Sequence, residues 1–228
     1  MGDPRSRLAD AAGTLGLSLE ADALDRLIGY LHLLQRWNRV YNLTALRDPE
    51  EMLSHHLVDS LAIVEPIRRM LASQAFPAVG GALRILDVGS GGGLPGVVLA
   101  AVQPDWQVSC VDTVAKKASF IRQVAAELRL TNLHALHARV EALAESVGRF
   151  DIVTSRAFAS LADFTTLSRA ALAEHGMWLA MKGRRPDAEI AALPPDVQVF
   201  HVEQLQVPGL DAQRCLVWLR PRPAGESG

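Results

Sequence analysis

Residues 83–96 constrain this chain more than any other stretch. A short apolar run over residues 83–88 breaks into five glycines within eight residues (Gly89, Gly91, Gly92, Gly93 and Gly96), and an apolar run then resumes to about Gln103. A strand that passes through a glycine turn into a helix brings bare backbone up to a ligand, where any Cβ would collide. Residues 88–104 are uncharged, but Pro95 and the glycines interrupt them, so they are not a membrane span. Beyond this point strand and helix signals alternate. Strand candidates at 107–112, 133–138, 151–155 and 177–182 are separated by helix candidates at 94–103 and 114–129, a short one after Val140, and one at 160–174. Such alternation predicts a parallel sheet with helices on both faces. The last strand candidates, 197–202 and 215–220, have no clear helix between them and predict an antiparallel hairpin. The expected fold class is therefore α/β, with a doubly wound, mostly parallel sheet over residues 83–220.

The preceding residues, 1–82, read as a helical region that packs on or caps the sheet. Leu24, Leu27, Ile28, Leu31 and Leu34 recur at helical spacing and predict a helix over 20–40. Asp48-Pro49-Glu50-Glu51 is a helix start with an N-cap, a first-turn proline and first-turn acids, and Met52, Leu53, His56, Leu57 and Leu61 give that helix its face. Residues 72–82, with Pro77, Gly80 and Gly81, read as a loop, and 221–228 as a mobile tail. A chain of 228 residues with 49% hydrophobic and 21% charged residues buries a real core and excludes wholesale disorder. The formal charge of −2 and pI near 6.4 mean that any nucleic-acid contact needs a local basic patch. The polar start of the chain carries no secretory pattern, so a cytoplasmic protein is expected.

The glycine segment formally matches a dinucleotide fingerprint through Gly91, Gly93 and Gly96, with Asp112 lying 21 residues after Gly91. A nicotinamide-dependent oxidoreductase is thus an alternative. Two features favour S-adenosylmethionine (AdoMet) instead. Asp87 stands directly before the loop, where a carboxylate repels a pyrophosphate and attracts the methionyl ammonium, directly or through water. A closing antiparallel pair also suits a methyltransferase sheet better than six parallel strands. Asp112, at the carboxyl end of the second strand, is placed to accept ribose hydroxyls, and Val140 and Glu141, past the third, to flank an adenine. Ligands of such sheets bind beyond the carboxyl ends of the strands. Arg156, after Ser155, and Lys182 end strands there and are functional candidates. Asp151 begins its strand at the opposite edge and reads as structural. Arg184 and Arg185 extend a small basic run from Lys182 that could meet phosphate.

No metal is expected. His55 and His56 are adjacent on a helix, and His134 and His137 lie on opposite faces of a strand. Cys110 and Cys215 sit inside apolar strands as inert core residues. The end of the fourth strand reads Ser155-Arg156-Ala157-Phe158. It offers neither the Asn/Asp-Pro-Pro-aromatic motif for amino-group methylation nor a Pro-Cys nucleophile. A site without nucleophile or base suits an acceptor that already has a lone pair, such as a purine ring nitrogen.

Further motifs carry a family resemblance. These are Trp37-Asn38 with Asn42-Leu43-Thr44, His56-Leu57-Val58-Asp59-Ser60-Leu61, the Gly93-Leu94-Pro95-Gly96 form of the loop, Arg139-Val140-Glu141, and Ser155-Arg156-Ala157-Phe158-Ala159. Together they resemble the RsmG (GidB) family of small-subunit ribosomal RNA guanine-7 methyltransferases, from about residue 24 to 183 and more thinly to Arg220. The resemblance implies a Rossmann-like class I AdoMet-dependent methyltransferase fold with an N-terminal helical cap. It implies AdoMet contacts from Gly89, Leu94, Asp112, Val140, Glu141 and Arg156. It also implies 16S rRNA as substrate, in an assembled or nearly assembled small ribosomal subunit. Arg36 and Arg39 beside Trp37, with Lys182, Arg184 and Arg185 across from them, would supply the basic patch. An AdoMet-dependent methyltransferase for another RNA or a small molecule is the other alternative.

Overall fold

The computed structural model describes residues 3–73, 81–156 and 158–222. Helices α1 (Pro4–Thr14), α2 (Ala21–Tyr41), α3 (Pro49–Met52), α4 (Asp59–Leu61) and α5 (Val64–Ala72) precede the sheet. Strands β1 (Arg84–Val88), β2 (Gln107–Asp112), β3 (Leu133–His137), β4 (Phe150–Ser155) and β5 (Leu172–Lys182) follow, with α6 (Gly96–Val102), α7 (Ala115–Glu127), α8 (Ala144–Val147) and α9 (Leu161–Ser168) between them. Helix α10 (Asp187–Ala191), β6 (Val197–Leu205) and β7 (Arg214–Pro221) close the chain. The strands lie in the order β3-β2-β1-β4-β5-β7-β6. The first five are parallel to one another, and β7 runs antiparallel between β5 and β6. The antiparallel β7 between β5 and β6 sets this sheet apart from the all-parallel 3-2-1-4-5-6 dinucleotide order.

Alternation along each strand builds two apolar layers. Ile85, Val108, Cys110, Ile152 and Leu179 face α2, α6 and α7, while Leu86, Val111, Val153, Trp178 and Ala180 face the other side with Leu161 and Phe164 of α9. The helical region packs into the first layer through Leu24, Leu27, Tyr30 and Leu34 of α2 and Leu57 and Leu61 after it. Helix α6 lies so close to the sheet that its first residue must be glycine. A Cβ on Gly96 would sit 2.3 Å from Cys110 Sγ and 3.1 Å from Asp87 Oδ2.

Several local expectations change. Helix α1 was not anticipated, because only Leu8 and Ala12 of it are buried and no periodic signal forms; Arg5 ties it to Asp25 of α2. The helix expected after Asp48 keeps its cap, with Asp48 Oδ1 accepting Glu50 N and Glu51 N, but widens into a π turn over Leu53–Val58. The helix expected over 160–174 stops at Ser168. Residues from Leu172 join β5 instead, because Leu172 pairs with Phe150 of β4 and tertiary pairing overrides the helical propensity of the sequence. The tail expected from Pro221 starts later: Pro221 pairs with Val197, and Arg222 N donates to Asp196 O at 2.8 Å. Most of the loop expected over 72–82 and the rest of that tail lie outside the described residues. Asp151 has the structural place its strand position implied, with Oδ2 accepting Arg84 N at 2.8 Å across the edge of β1. Among the described residues no helix is long and apolar enough to cross a membrane.

The contact at Gly96 generates a packing prediction. Gly96→Val forces Cβ into Cys110, and overpacking of this kind costs about 1–3 kcal/mol or more. Urea denaturation should show the midpoint falling accordingly, with Cys110→Ala in the same chain restoring part of the loss.

Candidate active site

Strand order reverses between β1 and β4, so the chain leaves β1 toward β2 and leaves β4 toward β5. The crevice that opens beyond such a reversal is where sheets of this kind bind ligands. The loop after β1 and Arg156 after β4 both enter it. The loop is held from two sides. Gly89 N and Ser90 N donate to Val111 O at the end of β2, and the Tyr30 hydroxyl of α2 donates to Gly92 O at 2.8 Å. Tyr30 is fully buried, and burial pushes its phenol up, so it stays a donor. Gly91 has φ +58° with nothing within 4 Å of the position a Cβ would take. That leaves open space against bare backbone.

One hollow at this crevice is lined by Gly89, Ser90, Gly91, Gly92 and Leu94 of the loop, Leu34, Leu43, Thr44 and His56 of the helical region, Lys117 of α7, and Arg156. Behind it lies a polar network. Arg156 Nη1 donates to His55 O at 2.9 Å and lies 3.5 Å from Asp59 Oδ2, while Nη2 lies 3.5 Å from His56 Nδ1. The π turn contributes here. Asp59 N–H, which in an α-helix would bond His55 O, is shared between His56 O and Ser54 O, and His55 O meets Arg156. A guanidinium only donates, so His56 Nδ1 is the acceptor and Nε2–H donates to Thr44 Oγ1 at 2.9 Å. Asn38 fixes the Thr44 segment by accepting Thr44 N and donating to Leu46 O. Asp59 is only 3% exposed, and its Oδ1 also accepts Arg214 Nε at 2.8 Å.

The other expected residues take these places. Asp87 is fully buried behind the loop. Its Oδ2 accepts Gly96 N at 2.9 Å, and its Oδ1 has no hydrogen-bond partner among the described residues. Asp112 Oδ2 accepts Gly91 N at 3.1 Å and Lys117 Nζ at 3.3 Å, and Oδ1 accepts Val114 N at 2.9 Å, so this carboxylate braces the loop as well as standing at its edge. Gly93 packs inward, its Cβ position 2.5 Å from Val97. Val140 is buried in a 3-10 turn three residues past β3, and Glu141 pairs with Arg139 at 2.8 Å. A hydrogen bond to its own amide, then Arg139, hold the Glu141 carboxyl below its ordinary value. Lys182 Nζ bonds both oxygens of Glu189 at 3.1 and 2.8 Å, and Arg185 pairs with Asp187, while Arg184 is exposed between them. Arg36 turns to Glu127, the last residue of α7, whose helix starts at the ligand edge and runs away from it. The end of α2 toward the hollow thus carries exposed Arg39 rather than Arg36.

Thr44, His56 and Asp59 stand in the sequence only as signature residues, and their roles in this network come from the fold. Sequence reasoning missed Lys117 and Arg214, for which no local signal exists. Among the described residues no group of three or more His, Cys, Asp or Glu side chains is placed to hold a metal.

Comparison with known proteins adds the following. A family model described as "GidB: rRNA small subunit methyltransferase G" matches residues 23–217. The Ribosomal RNA small subunit methyltransferase G of Acidovorax ebreus is 62% identical over 218 residues, covering 94% of each chain. That of Leptothrix cholodnii is 58% identical over 223 residues, covering 98% of each. Among solved structures, TrmN from Thermus thermophilus gives a TM-score of 0.54 at 18% identity over 74% of this chain and 53% of that one. MtNAS in complex with MTA and tNA gives 0.57 at 15% identity over 89% and 76%. At such identities the structural likeness speaks for the fold alone.

Two buried groups in the site titrate in opposite senses. Burial raises Asp87 from 3.8 to about 7, against the pull of Gly96 N–H and Arg156. Burial and then Arg156 lower His56 from 6.5 to about 4. For Asp87 the folded state holds the extra proton, so its contribution is full below 3.8 and is lost as pH rises to about 7. For His56 the unfolded state holds it, so stability is full above 6.5 and is lost as pH falls to about 4. The two slopes oppose each other over the shared window. Asp87→Asn removes one of them. The stability of this variant relative to the native chain, measured by urea denaturation, should climb by about 1 kcal/mol per pH unit from about pH 4 to 7 and then level off.

Proposed function

The chain belongs to the GidB family of rRNA small subunit methyltransferase G proteins, and we propose that it transfers a methyl group from AdoMet to N7 of a guanine in 16S ribosomal RNA. The observation that carries the choice of acceptor is the state of His56. It is the histidine beside the hollow, and both of its ring nitrogens are engaged, one by Arg156 and one by Thr44. Held at about 4, it is neutral near pH 7 but has no lone pair to spare. With His56 engaged at both nitrogens, and Asp87 fully buried behind the loop and outside the lining of the hollow, an acceptor that must lose a proton is disfavoured, and a neutral ring nitrogen fits.

The residues present fit AdoMet. Gly89 and Gly91 leave open space where side chains would stand, and the unpaired Oδ1 of Asp87 is an acceptor suited to the methionyl ammonium. Gly93 and Leu94 shape the loop, Asp112 stands at its edge for ribose hydroxyls, and Val140 and Glu141 follow β3 for the adenine. When bound, AdoMet supplies a methyl on a sulfonium centre, which the lone pair of guanine N7 can take with no proton to remove. The chain's own work is then alignment and electrostatics. Arg156, fixed by His55 O and Asp59, stands between loop and substrate side; Lys117 and Asp112 hold the loop. Lys182, Arg184, Arg185, Arg39 and Arg36 are the candidates for RNA contact, with Arg39 better directed than Arg36. Phosphate contacts would position the RNA while an exposed guanine enters. Such a substrate would put the enzyme's work in the cytoplasm, on the small ribosomal subunit.

Two measurements test this reading. Calorimetric titration with S-adenosylhomocysteine should show binding to the native chain and none to Gly91→Val. Asp112→Ala should lose about 1.5–3 kcal/mol, the worth of hydrogen bonds to a charged group. Unchanged affinity in either variant would overturn the assignment of the loop. Single-turnover methyl transfer to ribosomal particles, with AdoMet saturating so that Asp87 does not enter, should vary little through the range around pH 6.5 where an ordinary histidine titrates. A steep limb there that disappears in His56→Gln would reveal a general base and reopen the identity of the methylated atom.

A further inference from the structure

A second hollow adjoins the first, and His56 and Arg156 line both. Its remaining walls are Leu46, His55, Asp59, Met181, Lys182, Gly183 and Arg214. The two hollows therefore share a wall of two side chains, with the glycine loop on one side of it and Arg214 on the other. The loop side is cofactor space in the reading above, so the far side is the acceptor's.

The charge of the second hollow selects its occupant. Lys182 is matched by Glu189. Arg156 and Arg214 share a single carboxylate, Asp59, so one positive charge is unmatched. Arg214 spends Nε on Asp59 and Nη1 on Gln213 O, and among the described residues Nη2 has no hydrogen-bond partner. The side chain is 22% exposed, so this donor can reach a ligand while its neighbour stays anchored. A guanidinium held at one edge and free at the other is suited to a phosphate oxygen. We infer that the second hollow takes a phosphodiester of the RNA strand next to the acceptor guanine, and that Arg214 binds it. The inference rests on the methyltransferase reading and adds a substrate-binding residue to it. The carboxylate of AdoMet is the competing anion, and cofactor affinity separates the two.

The test uses the full chain, small ribosomal subunits lacking the modification, and S-adenosylhomocysteine. Arg214→Gln should raise the KM for particles about tenfold and leave the S-adenosylhomocysteine Kd unchanged. It should also reduce the slope of log affinity against log salt by about 0.7, the value for one contact to single-stranded phosphate. A purely structural Arg214 would not move that slope. Should Arg214→Gln unfold because Asp59 is left with one partner, Arg214→Lys decides. Its ammonium can hold Asp59 but lacks the planar fork that anchors one edge and offers the other to a phosphate, so the fold should survive and the KM should still rise, though less than in Arg214→Gln. An unchanged KM in a folded variant overturns the inference, as does a cofactor Kd that worsens along with KM. Native protein that methylates no small-subunit RNA would overturn the underlying function instead, which keeps the two failures apart.

Discussion

Asp59 joins three parts of the chain that are far apart in sequence. It sits in the helical region, accepts Arg214 from the first residue of β7, and lies against Arg156 from the end of β4. The carboxylate is all but buried, and an unpaired buried charge costs several kcal/mol. The helical region, β4 and β7 are therefore held to one arrangement. Such a triad adds little net stability over well-packed apolar side chains. Its effect is specificity: the guanidinium of Arg156 has one position, at the mouth of the crevice.

From Arg156 the order propagates. Its second nitrogen faces His56, which sets the tautomer, and the tautomer sets the direction of the bond to Thr44. Asn38, at the end of α2, holds the segment that carries Thr44. On the other side Tyr30, also of α2, holds Gly92, and Asp112 holds Gly91. The same long helix thus positions both walls of the hollow beside the glycine loop. Rigid supports of this kind suit a transfer that depends on alignment more than on proton movement.

A protein of pI near 6.4 meets RNA through placement of charge rather than quantity. Most surface cations here are matched by a nearby acid: Arg5 by Asp25, Arg36 by Glu127, Arg69 by Glu203 and Arg185 by Asp187. At the crevice two arginines share Asp59, so one positive charge there is unmatched. At the end of α2, Val40 and Tyr41 are exposed beside Arg39.

The strand, glycine loop and helix at residues 84–102 were legible in the sequence because each is a local event: a buried apolar run, positive-φ turn residues, and small side chains for close packing. The alternation of strands and helices set the sheet class for the same reason. The signature around Asn38, Thr44, His56 and Asp59 was visible as a pattern, but its meaning was not, since the bonds that tie this local network to Arg156 span about a hundred residues. Lys117 and Arg214 carried no local mark at all. The π turn, the long β5 and the assignment of Arg36 to Glu127 were decided only by packing. Sequence determined what each segment prefers by itself. Which side chains share one buried carboxylate, and which guanidinium is left with a free edge, is a property of three-dimensional neighbours, and only the tertiary structure brings those together.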